Sequence, residues 1–216
     1  MADFSDFFSA FEDNGPVTTR GRRVVFFPFP QTGGDFPMIE HPNRFREKPT
    51  VDPVRSWDRT TFVSADSKWD VLSTTLNLLT SNKDSLYVMG QCLAGSDKFY
   101  SLHMKFTIDA DSIVTMLGYH LKKEFPGKVK VYACHSSTGG PNKEPPFAKL
   151  FADAMRTAGY TQCTYYGYNA QVSGFASKEY RGDASIDDTS GQHKWTMSGA
   201  NAGQRASASR EEIPVG

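Results

Sequence analysis

The central part of the chain alternates between strand-like and helix-like hydrophobic patterns, and this alternation limits the possible folds more than any other feature. Short apolar runs predict strands at residues 24–27, 85–90, 99–106, 128–133 and 161–168. Apolar residues at three- and four-residue steps predict helices at residues 69–79, 113–121 and 147–155. Strands that alternate with helices usually pair in parallel. The sequence therefore predicts an α/β fold, a three-layer α/β/α sandwich around a mainly parallel sheet.

We assign the alternating pattern to one domain over residues 21–170. Three further segments flank or interrupt it. Residues 1–20 form an N-terminal arm with Phe residues at helical spacing, and this arm either docks on the body or binds a partner. Residues 28–56 hold six of the twelve prolines and show no regular period, so a long surface loop is predicted. Residues 171–216 are polar, and we expect an extension of the same domain with loops and one or two edge strands.

Composition excludes several classes of function. The 216 residues include 24 basic and 24 acidic side chains, so the excess of positive charge typical of nucleic-acid binding is missing. No apolar run approaches the roughly 18 residues of a membrane span, and the acidic N-terminus does not resemble a secretory signal. We expect a cytoplasmic protein, or one that a dedicated secretion system exports without a cleavable signal peptide. Three cysteines do not make a disulfide framework, and reduced thiols are expected.

Two strand ends carry the candidate chemistry, because the functional groups of parallel sheets collect beyond the carboxyl ends of the strands. One is Gly90-Gln91-Cys92, and the other is Ala133-Cys134-His135. Cys134 opens a loop rich in Ser, Thr, Gly and Pro, where a thiol can be activated by a nearby base. The alternative is a small buried hydrophobic side chain.

Motif spacing argues against other chemistries. A tyrosine-phosphatase loop needs Arg six positions after its Cys, and that position holds Gly140. The chain has neither paired Cys-x-x-Cys elements nor His-x-x-x-His, so no structural zinc and no cofactor are expected. A small-molecule hydrolase that uses Ser136 or Ser137 would lack the G-x-S-x-G elbow.

The same segments resemble the caspase-like (clan CD) cysteine peptidases, in particular the bacterial branch that includes the cysteine protease domains of large toxins. In that layout a strand ending in Gly-His opens a hairpin, a helix follows, and the next strand ends in Ala-Cys before a loop of small residues. The match covers roughly residues 84–170 and rests on short motifs: Tyr87-Val-Met-Gly-Gln91, Val129-Lys-Val-Tyr-Ala-Cys134-His-Ser-Ser, Pro146-Phe-Ala, Ala158-Gly-Tyr and Tyr166-Gly-Tyr168.

The resemblance implies a Cys–His dyad that acts on a protein or peptide substrate. Cys134 matches the nucleophile, and backbone N–H groups near Gly90 and Cys134 would hold the oxyanion. Gln91 occupies the position of the family His, and an amide cannot act as a general base. Three interpretations stay open: a catalytically impaired member, a member in which His103 replaces the missing base, or a likeness of fold alone.

Two other histidines have simpler interpretations. His135 adjoins Cys134, and neighbouring side chains on an extended chain point in opposite directions, so it is a poor partner unless the turn bends sharply. His120 lies late in a predicted helix, where a cation would complement the helix dipole. A second functional hypothesis needs no catalysis: a binding or effector module that uses the Phe-rich arm and the Pro-rich loop.

Overall fold

The computed structural model describes residues 21–30, 60–101, 104–172 and 196–214. Its strands are β1 (Arg23–Phe27), β2 (Thr60–Ser64), β3 (Ser85–Met89), β4 (Lys98–Tyr100), β5 (Thr107–Asp109), β6 (Lys128–Tyr132), β7 (Thr164–Tyr168) and β8 (Arg210–Glu212). Six of them form one sheet in the order β2-β1-β3-β6-β7-β8. The first five strands in that order are parallel, and β8 joins the edge antiparallel to β7. The predicted α/β class with a mainly parallel sheet is confirmed.

Three α-helices connect these strands: α1 (Trp69–Asn77), α2 (Ala110–Gly118) and α3 (Phe147–Thr157). A 3-10 helix at Ala206–Ser209 precedes β8. The buried faces of α1, α2 and α3 share one core cluster with Val88 and Val131 of the sheet. All three helices therefore pack on the same face of the sheet. No helix among the described ranges is long and apolar enough to cross a bilayer.

The opposite face of the sheet is also buried, which explains why the strands show continuous apolar runs rather than alternation. Along β3, Leu86 and Val88 join the helix-covered core, whereas Tyr87 and Met89 turn to the other face. That face has its own core cluster, in which Ala206 of the 3-10 helix packs. The architecture is compatible with a three-layer sandwich, and a helical third layer stays a prediction for this second face.

Several local predictions change. The segment 99–106 is not one strand, because β4 and β5 form a separate antiparallel hairpin and Met104 turns the chain with a φ of 56°. Ser64 ends β2, and α1 begins at Trp69 with no side-chain capping hydrogen bond from Lys68. The expected edge strand of the polar C-terminal segment is β8. The arm 1–20 and most of the Pro-rich loop lie outside the described residues.

Candidate functional site

Neighbouring strands bring the two predicted strand ends together at one edge of the sheet. The β3–β6 register runs to the pair Met89 and Tyr132, and Gln91 and Cys134 each follow two residues later. Both therefore leave the carboxyl edge of the sheet from adjacent strands, as parallel pairing predicts. Gln91 then exchanges two backbone hydrogen bonds with Tyr100, at 2.9 and 3.0 Å, which direct the chain into the β4–β5 hairpin.

Cys134 is partly exposed at this edge, and no side chain of the described segments activates its thiol. Its Sγ donates to the carbonyl oxygen of Val172 at 3.7 Å. Burial raises the pKa of the Cys134 thiol above its ordinary value of 9.0. At neutral pH the sulfur therefore carries its proton, and only the thiolate is a strong nucleophile.

The turn after Cys134 is fixed to the end of β7. The backbone N–H groups of His135 and Ser137 donate to Ala170 and Tyr168, each at 3.1 Å. Ser136 is fully buried, and its hydroxyl donates to a β6 carbonyl and accepts from a β7 N–H at 2.8 and 2.9 Å. These bonds fix the backbone of the turn that directly follows Cys134. They also give Ser136 a structural role, which removes it as a nucleophile in contact with a substrate.

The other predicted site residues take defined places. Gly90 is buried directly after β3, where an added Cβ would lie 2.5 Å from the Phe99 ring and 2.7 Å from the Tyr100 oxygen, so only glycine fits. Gln91 is half-buried, and its carboxamide makes no hydrogen bond to another residue of the described segments. His103 lies outside the described residues. The roles predicted for these three residues stay predictions.

Neither histidine of the described ranges hydrogen-bonds the thiol. His135 has a φ of 52°, so the turn does bend sharply, yet the Cys134 thiol bonds to a carbonyl and not to an imidazole. His120 follows α2 and is buried, with its Nδ1 2.7 Å from the hydroxyl of Ser73. Burial lowers the pKa of His120 below 6.5, which disfavours the cation expected at this helix end.

The remaining two cysteines are also free, and burial raises the pKa of both thiols strongly. Burial raises the pKa of Cys92 to about 12, and the adjacent Cys134 adds to this effect. Burial likewise raises the pKa of Cys163 to about 11, and its thiol donates to the Phe125 carbonyl at 3.0 Å. Of the two cysteines that follow strand ends, Cys92 is buried and Cys134 is partly exposed.

A cavity of about 450 Å³ adjoins the turn after Cys134. Its described walls are the segments 137–139, 169–170 and 198–201 and the side chain of Glu211. The Glu211 carboxylate accepts hydrogen bonds from the Ser137 hydroxyl and the Asn169 amide, both at 2.7 Å. Sequence reasoning missed this site, because β8 pairs with a strand more than 40 residues earlier in the chain. All three residues of β8 are exposed, so no apolar pattern marks this strand in the sequence.

The described segments hold no cluster of His, Cys, Asp and Glu side chains suited to a metal ion. Neither a scan against protein-family models nor a search of the curated proteins matches this chain. Function has to be argued from the geometry at the sheet edge.

Proposed function

We propose that this protein is a caspase-like cysteine peptidase domain of impaired activity, which binds a peptide segment at the sheet edge around Cys134. The observation that carries the proposal is the placement of a partly exposed thiol at the carboxyl end of the central strand β6, beside the chain that leaves β3 at Gln91. This is the position from which a family nucleophile would act.

The order of elements also supports the proposal. β3 leads through Gly90 into a hairpin, α2 follows, and β6 leads through Ala133 into Cys134 and a loop of small residues. Phe147 then begins α3, and Tyr160 is buried before β7. This succession corresponds to the layout that the sequence motifs indicate.

Peptide cleavage at this site would proceed through a thioester. The thiolate of Cys134 forms a bond to the carbonyl carbon, the C–N bond breaks, and the leaving amine takes up a proton. Water then hydrolyses the thioester and regenerates the thiol. The first step needs a base to remove the thiol proton, and the amide of Gln91 cannot accept it. A raised thiol pKa and an amide in the position of the base should together make the attack slow.

Incubation with a mixed peptide library, followed by mass spectrometry of the products, tests the proposal. We expect slow cleavage that disappears in Cys134→Ala and persists in the control Cys163→Ala, which removes a thiol far from the edge. Equal cleavage by Cys134→Ala and the wild-type protein would refute the proposal.

A binding module without catalysis is the second candidate, and the hydrogen bond of the thiol to a carbonyl rather than to a base, among the residues that the structure describes, favours it. The same two variants separate the candidates. A pure binding module retains its partner affinity in Cys134→Ala and cleaves no peptide in any form.

A further inference from the structure

We infer that the cavity beside Cys134 binds the cationic side chain of a peptide, an arginine or a lysine, with the Glu211 carboxylate as its partner. The inference extends the proposed function, since it assigns a class of side chain to the peptide that would lie at the same edge. The affinity of the cavity for a cation, however, does not depend on any reaction at the thiol.

The position of the cavity supports this inference. The turn after β6 and the chain after β7 form part of the cavity wall, and the same two segments carry and contact the thiol. In the turn, the Thr138 N–H donates to the His135 carbonyl at 3.0 Å, and such a turn keeps its ends within about 7 Å. On the other segment, Ala170 lines the cavity and Val172 holds the thiol. A long side chain of a peptide bound at Cys134 can therefore reach the cavity.

The negative charge of Glu211 favours a cationic ligand in the cavity. Among the described wall residues Glu211 is the one ionisable side chain, and the others are Ser, Thr, Gly, Ala and Asn. Each carboxylate oxygen accepts one hydrogen bond, one from Ser137 and one from Asn169, which orients the group. A carboxylate has about four acceptor positions, so both oxygens keep the capacity to accept from a guanidinium or ammonium group.

The neighbouring cation of β8 does not neutralise this carboxylate. Arg210 precedes Glu211 and pairs with Tyr168, and its guanidinium lies over the Tyr166 ring, 4.8 Å from the ring centre. Successive side chains of a strand point to opposite faces, so Arg210 and Glu211 face away from each other. No ion pair joins Glu211 to a cation of the segments that the structure describes. The carboxylate is thus oriented toward the cavity without a cationic partner from these segments.

A titration of the full chain carrying Cys134→Ala tests the inference, with N-acetyl-arginine methylamide as the probe and the citrulline analogue as its neutral isostere. Binding is followed by NMR chemical-shift changes. We expect the arginine probe to bind about three to ten times more tightly than the citrulline probe, as a charge-assisted pair near the surface would give. This ratio should fall to about one when Glu211→Gln is added.

Glu212→Gln is the matched control, because Glu212 is the next residue of β8 and pairs with Tyr166 on the other face. It should leave the ratio unchanged. A ratio near one in the parent protein, or an undiminished ratio in Glu211→Gln, would overturn the inference. The titration uses Cys134→Ala, which cannot cleave peptides, so its result does not depend on catalysis. A wild-type protein that fails to cleave peptides would therefore count against the proposed function and not against the cation site.

A protection experiment tests the adjacency of the cavity and the thiol in the wild-type protein. The arginine probe should slow alkylation of Cys134 by iodoacetamide, and the citrulline probe at the same concentration should not. If the protein binds the arginine probe more tightly but Cys134 is alkylated at the same rate with both probes, the cation site lies away from the thiol. This result would overturn this part of the inference.

Discussion

The buried Lys130 on the second face of the sheet gives the most quantitative prediction. Its side chain is 6% exposed, and its ammonium group donates to the Tyr87 hydroxyl at 2.9 Å and to the Ser85 hydroxyl at 3.4 Å. The same group lies 4.4 Å from the centre of the Tyr87 ring. Burial, together with the charges of Arg210, Arg23 and Lys128, lowers the pKa of Lys130 from 10.5 to about 7. The folded state therefore disfavours the charged lysine.

The sign and size of the effect on stability follow from this pKa. Between pH 7 and 10.5 the unfolded chain binds more protons than the folded chain, so the free energy of unfolding rises with pH over this interval. Below pH 7 the full penalty is present, which is about 5 kcal/mol from the difference between the two pKa values. At pH 9.5 about 1 kcal/mol of it remains.

Lys130→Met keeps the aliphatic stem and removes the charge. Since the variant also loses the hydrogen bond to Tyr87, which contributes about 1 kcal/mol, we expect a net gain of about 2 to 4 kcal/mol at pH 6. At pH 9.5 the gain should nearly vanish. Urea unfolding at the two pH values measures both quantities.

Lys122→Met is the control, because Lys122 is exposed and its charge is not among those that lower the pKa of Lys130. It should change the free energy of unfolding by less than about 0.5 kcal/mol. A loss of stability in Lys130→Met at pH 6, or a gain that is the same at both pH values, would refute the reasoning.

Three further predictions concern residues that position the sheet edge and the helices. Gly90→Ala should destabilise the protein by about 1 to 3 kcal/mol, seen as a lower midpoint of urea unfolding, since its Cβ would overlap the Phe99 ring; a neutral result would contradict the close packing. Asp84→Ala should lower the free energy of unfolding by about 3 kcal/mol or more in the same assay, because this buried carboxylate accepts hydrogen bonds from three backbone N–H groups at 2.7 to 2.9 Å. Asp84→Asn keeps one acceptor oxygen and should lower it by less. The buried His120, hydrogen-bonded to Ser73, has a lowered pKa, so below about pH 6.5 the unfolded chain binds more protons than the folded chain. The free energy of unfolding should therefore fall as the pH decreases in this range. If His120→Asn shows the same dependence on pH, His120 is not its cause.

The sequence predicts the parts of this fold that depend on local hydrophobic patterns. Strands buried on both faces appear as continuous apolar runs, which is why β1, β3, β6 and β7 and the strand ends at Gln91 and Cys134 were predictable. The β4–β5 hairpin was harder to predict, because its turn places Met104 at a positive φ. A glycine at this position would have indicated the turn in the sequence.

Features that depend on distant pairing were not predictable. All three residues of β8 are exposed, so no apolar run identifies the strand, and its place beside β7 is fixed by tertiary contacts. The cavity with Glu211 exists only because that pairing brings residues 198–211 to the turn after Cys134. Likewise, burial of His120 against α1 lowers its pKa and disfavours the charge that its sequence position favours.

The proposed function requires that Cys134 lacks a base because Gln91 stands where the peptidase family carries an imidazole. The direct measurement is the rate of Cys134 alkylation by iodoacetamide as a function of pH, for the wild-type protein and for Gln91→His, with Leu93→His as a control on the same exposed loop. We expect the wild-type thiol to react with an apparent pKa above the ordinary thiol value, because burial raises it. Gln91→His should lower this pKa and speed peptide cleavage, and the control should change neither. A Cys134 that fails to react in every form, or a Gln91→His profile identical to that of the wild-type protein, would contradict it.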